Sequence, residues 1–89
     1  MIIQIEKFGK ILISRPSGKE AAAIMTSMLA HLADEEKIIL DFAEVQVIAP
    51  SWLDEVLRAL RDKYGDRVSC KESTNLSLIE SLKTLRDFP

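Results

Sequence analysis

Asp41 and Ser51 are the residues of this chain best placed to do chemistry. Asp41 closes the apolar run Ile38-Ile39-Leu40, and Ser51 opens the string Ser51-Trp52-Leu53-Asp54-Glu55. A carboxylate ending a buried strand and a hydroxyl starting the next helix lie at the same end of an open α/β sheet. That end is where such folds hold ligands and partners. A receiver-type phosphoacceptor aspartate would also need acids at the end of a first strand to hold Mg²⁺. Those positions carry Lys7-Phe8 and Ser14-Arg15, so that site cannot be assembled. Asp41 is expected instead to accept hydrogen bonds from the loop amides that follow it, as a structural anchor.

Ser51, with Asp54 three residues on, fits a capping box and is expected to cap its helix. The same hydroxyl is the candidate phosphoacceptor. A phosphate there would gain from the helix N-terminus and lose from repulsion by Asp54 and Glu55. Trp52 falls at the edge of the apolar stripe of that helix. It is read either as a half-exposed interface anchor or as a lid over Val45 and Ile48. Pro50, Ser51, Trp52 and Glu55 make up the expected partner-binding surface.

The other reactive types point away from catalysis. Ser17-Gly18-Lys19-Glu20 looks like the tail of a phosphate loop, but it lacks the upstream glycine and has Glu20 at the metal-binding hydroxyl position. His31 has no second ligand at metal spacing, so neither metal nor cofactor is expected. Cys70, the single cysteine, is read as a small hydrophobe in a strand. No nucleophile has a base beside it, and the chain is expected not to be an enzyme.

The elements that must position these residues follow from periodicity. Ile3 and Ile5, then Ile11 and Ile13, alternate with their neighbours around Phe8-Gly9-Lys10 and predict a two-stranded antiparallel hairpin. Ser17 with Glu20 predicts a helix from about Gly18 to Asp34, with Ala21, Ile24, Met25, Met28, Leu29 and Leu32 on one face. Three acids, Asp34-Glu35-Glu36, oppose the macrodipole at its exit and predict fraying. Lys37–Phe42 reads as a central strand, and Val45, Val47 and Ile48 as a short extended piece. Leu53, Val56, Leu57, Leu60 and Tyr64 give the second helix its buried stripe, stopped by Gly65. Val68 and Cys70 face inward from a last strand. Ser73, Thr74 and Asn75 offer caps for a third helix with Leu78, Ile79, Leu82 and Leu85 on its face, and Ser77 is a rival start. The expected fold is α/β, ordered β-β-α-β-α-β-α, with a mixed sheet of about four strands and three main helices.

Eighty-nine residues allow one domain, expected to span 1–89. The chain is 47% hydrophobic and 29% charged, the balance of a globular protein rather than a disordered one. A net charge of -2 with both signs interspersed gives no electrostatic case for nucleic acid or an anionic membrane. No run is apolar long enough to span a bilayer. One cysteine and an early charged residue at Glu6, where a leader would still be apolar, favour a cytoplasmic setting.

With these elements laid out, the chain resembles the STAS superfamily, the domains of sulphate transporters and anti-sigma factor antagonists. More closely it resembles the bacterial STAS-like domains of unknown function. The resemblance rests on Leu40-Asp41-Phe42 with Glu44-Val45 behind it, on Ser51-Trp52-Leu53-Asp54-Glu55, and on Gly65 leading to a short strand with Asn75 before the last helix. It spans about Ser14 to Leu85. It implies helices mostly on one sheet face and a cytoplasmic, non-enzymatic regulatory module that binds a protein, such as an anti-sigma-type kinase or ATPase. In the antagonist branch the helix after the central strand begins Asp-Ser-Ser-Gly, and a partner kinase phosphorylates the second serine. That serine falls on Ser51, but Ala49 and Pro50 precede it and Trp52 stands at the glycine. The alternative is a structural self-association module, a homodimer paired through the N-terminal edge strand, Met1 to Ile5.

Overall fold

The computed structural model describes residues 1–87. Its elements are β1 (Ile2–Gln4), a 3₁₀ turn (Ile5–Phe8), β2 (Ile11–Leu12), α1 (Arg15–Met28), β3 (Ile38–Asp41), β4 (Val47–Ile48), α2 (Pro50–Tyr64), a second 3₁₀ turn (Gly65–Arg67), β5 (Val68–Cys70) and α3 (Leu76–Asp87). β3 is central between β1 and β5, and both pairings are parallel, with Ile39 opposite Ile2 and Ser69. β2 and β4 form a separate parallel pair, Ile11 opposite Val47 and Leu12 opposite Ile48.

The expected antiparallel hairpin and single mixed sheet are therefore corrected to two small parallel sheets among the described residues. The cause is local. Ile5 does not extend the first strand but enters the 3₁₀ turn with its side chain buried, and Gly9 at φ 130° lets the chain step onward instead of folding back. β1 and β2 then find partners only after α1, the long crossover that parallel pairing requires. β4, foreseen as an extended piece, belongs to this second pair. Its outer edge is closed by hydroxyls: Ile48 N donates to Ser77 Oγ at 2.9 Å, and Ser77 and Ser81 donate to the Ile48 carbonyl at 2.9 and 2.8 Å. Ser77 thus serves β4 rather than starting α3, which Asn75 caps by accepting from Leu78 N.

α1 also shifts. Ser14, not Ser17, is the N-cap and accepts from Ser17 N at 3.2 Å. Pro16 sits in the first turn, where its missing N–H has no intrahelical use. The helix stops at Met28 rather than Asp34. Beyond it, Arg67 donates to the carbonyls of Ala33 (3.1 Å) and Asp34 while its guanidinium lies over the Tyr64 ring. The acidic stretch is therefore held as a loop. α1 crosses α2 closely at Gly18, where a Cβ would stand 2.8 Å from the Trp52 carbonyl oxygen and 3.2 Å from Glu55 Cβ. Along β3, Ile38 and Leu40 are buried whereas Ile39 and Asp41 are half-exposed, so one sheet face is packed and the other partly open. The core joins Ile3, Ile5, Leu12, Met25, Leu29 and Phe42 to the inner faces of α2 and α3.

Candidate functional site

The start of α2 is built by the segment that leaves β4. Ala49, not Ser51, is the N-cap, and it caps through no side chain. Pro50 takes the first helical position, so Ser51 falls two places past the cap, too deep to fill it. Its hydroxyl has a different task, donating to the Ile13 carbonyl at 3.0 Å. The capping role read for Ser51 is replaced by a tether between α2 and the end of β2.

Around that tether lies an ionic rim. Arg15 Nη1 is 2.9 Å from both Asp54 Oδ2 and Glu55 Oε1, and Arg58 pairs with Asp54 one turn on. The hydrogen bonds to Asp54 and then to Glu55 push the already high Arg15 guanidinium further up, so it stays charged. Arg15, Pro50, Ser51, Asp54, Arg58, Thr84 and Leu85 line an open groove of about 470 Å³. Ser51 and Pro50 are half-exposed in it, and Glu55 reaches the rim through Arg15.

Trp52 is not on this surface. Its exposure is 0%, which overturns the expectation of a half-exposed anchor and removes it from the partner-binding set. The reason is the helix phase set by Pro50: the ring joins Leu53, Val56 and Leu60 inside the core. Its indole Nε1 has no hydrogen-bond partner among the described residues.

Asp41 sits apart from Ser51. Its Oδ1 accepts from Ala43 N at 3.0 Å, and its Oδ2 lies 3.8 Å from Lys71 Nζ. The turn it meets is tight: Val45 N bonds the Phe42 carbonyl, Glu44 has φ 69°, and Asn75 Nδ2 holds the Val45 carbonyl at 2.7 Å. Asp41, Lys71, Ser73 and Asn75 help line an open cleft of about 940 Å³ at the C-terminal ends of β3 and β5. The carboxylate and hydroxyl that looked adjacent in sequence thus face different cavities.

Arg15, Arg58 and Thr84 are the rim residues that sequence reasoning missed. The Asp54–Arg58 spacing of one turn was readable as an ion pair. Arg15 and Thr84 come from remote helices and left no local signal. Cys70 is half-buried, and burial pushes its thiol up while Arg61 pulls the other way. Among the described residues, no group of three or more His, Cys, Asp or Glu side chains could hold a metal ion, and no helix is long and apolar enough to cross a membrane.

No curated protein and no solved structure matches the chain. A family model described as the STAS-like domain of unknown function (DUF4325) matches residues 20–75, which take in most of α1, β3, β4, α2, β5 and the Asn75 cap. That is more than half of the chain, and it holds both Asp41 and the start of α2. This protein therefore belongs to the family of STAS-like domains of unknown function.

Proposed function

We propose that the domain is a non-enzymatic, cytoplasmic regulatory module that binds a protein partner through the rim at the start of α2. Pro50, Ser51 and Glu55, with Arg15, Asp54 and Arg58, form the contact surface, and Trp52 supports it from beneath. The observation that carries this reading is the state of Ser51. Its hydroxyl is half-exposed in a groove, bonded to a backbone carbonyl and not to a base. A rim of mixed charge suits selective docking, since such groups set specificity and approach more than raw affinity.

In this reading phosphorylation of Ser51 is the switch, and an anti-sigma-type kinase or ATPase is the partner class that the family likeness suggests. A phosphate at the second helical position would meet the positive end of α2 and the two arginines. It would also displace Asp54 and Glu55 from Arg15 and remove the O–H that binds Ile13. One modification would then rewrite both the charge and the anchoring of the rim.

The test is a pull-down from a lysate supplied with ATP, with mass spectrometry of the Ser51 peptide. Ser51→Asp and Arg58→Glu are expected to reduce capture severalfold relative to the unsubstituted chain, with phosphate found on Ser51. Capture indifferent to both substitutions would remove the surface from consideration. Absence of phosphate with capture still lost would leave the docking rim and discard the switch.

A further inference from the structure

α3 is fastened differently from the other two helices. Of its apolar side chains only Leu78 is fully buried; Ile79, Leu82 and Leu85 are half-buried and Leu76 is 74% exposed. Its polar hold on the sheet falls on one buried residue, Ile48. Ser77 Oγ accepts from Ile48 N and donates to the Ile48 carbonyl, both at 2.9 Å, and the buried Ser81 hydroxyl donates to the same carbonyl at 2.8 Å. One serine thus makes both bonds that a facing residue of an added antiparallel strand would make. Asn75 forms the pivot, its Nδ2 donating to the Val45 carbonyl and its Oδ1 accepting from Leu78 N. Residues 71–75 belong to no helix or strand, and the family match ends at Asn75, one residue before α3.

The attachment bears on the rim from two sides. Ile48 lies two residues before Pro50, and Thr84 and Leu85 line the groove that holds Pro50 and Ser51. We propose that α3 is a latch on that groove, a helix that releases from Ile48 as a unit and controls whether the rim binds. Docked, it supplies the Thr84–Leu85 wall and pins the strand that leads into α2. Released, it takes the wall away and frees Ile48. An element with few buried apolar contacts opens at a lower free energy than the core. A partner that needs the wall binds the docked form and draws the equilibrium toward it. Control of binding rests on the rim reading of the proposed function; the latch itself is observable in the free chain.

Hydrogen exchange of the full chain, followed amide by amide by NMR, tests the latch. The amides in the later turns of α3 and that of Ile48 are expected to exchange together, at least roughly tenfold faster than those of β3. Ser77→Ala combined with Ser81→Ala leaves buried Ile48 groups unpaired in the docked form, and should speed both sets by about a further tenfold. Ile38→Val weakens the core that survives the opening, so it should speed the β3 amides and leave α3 and Ile48 unchanged. Capture from lysate is expected to fall severalfold in the double serine variant, and also in Thr84→Lys, which alters the wall without speeding exchange. One common rate for α3, Ile48 and β3, with Ile38→Val speeding all alike, would overturn the latch. Faster exchange in the serine variant with capture unaltered would overturn its control of the groove and leave the rim standing. Capture indifferent to Ser51→Asp and Arg58→Glu would remove the rim, and control of it by α3 would fall whatever the exchange shows.

Discussion

α1 and α2 are nearly equal in length, 14 and 15 residues, and they pack against each other, yet they solve burial differently. α2 buries large side chains, Trp52, Leu53, Val56, Leu57, Leu60 and Tyr64, and turns a charged face outward. α1 buries small ones, Gly18, Ala21 and Ala22 with Met25, and keeps Ile24 and Met28 outside. The small residues let the two backbones approach, which is what seats Trp52. The lesson is that the apolar content of a helix does not tell which of its faces is the core. Close packing can be achieved with alanine and glycine while larger side chains remain outside.

Substitutions can sharpen or break this contrast. The largest effect is expected from Trp52→Ala, a loss of about 3–5 kcal/mol in urea-induced unfolding from the cavity left in the core. Trp52→Phe should cost much less, because it keeps most of the volume and removes an indole N–H that has no partner among the described residues. Any loss of partner capture in Trp52→Ala would then track unfolding. A melt unchanged in Trp52→Ala would contradict the enclosed position.

Next comes Gly18→Ala. On an isolated helix it would stabilise by about 1 kcal/mol. Here the added Cβ meets backbone at 2.8 Å, so a net loss of about 1–3 kcal/mol is expected. A gain in melting temperature would mean that the helices cross less closely than described. Smaller again is Ser51→Ala, which removes one tether to Ile13 and should cost about 1 kcal/mol. The smallest effect is on reactivity. With its thiol pushed up by burial, Cys70 should react with iodoacetamide at mildly alkaline pH several times more slowly than in the urea-unfolded chain. Equal rates in the two states would show the thiol to be open.

Much of the element order was legible because periodic burial is a local property. The α2 stripe, the Gly65 stop, the inward Val68 and the leucine face of α3 all appear where alternation and helical spacing placed them. Helix starts were less legible. Ser17 was read as the start of α1 where Ser14 is the cap, and in both helices a proline in the first turn decided the phase by a few residues. At α2 that shift was enough to carry Ser51 off the cap and Trp52 into the core.

Composition and spacing by themselves determined the α/β class, the apolar central strand and the acid at its end. Those conclusions depend on residue types and on neighbours a few positions apart. Tertiary structure decided the rest: that β1 and β2 pair with β3 and β4 rather than with each other, that Arg15 reaches Asp54 and Glu55, and that Asp41 and Ser51 face separate cavities. Each of these is a contact between residues far apart along the chain. Such contacts are selected by the packing of the whole core, for which no short stretch of sequence carries a signal.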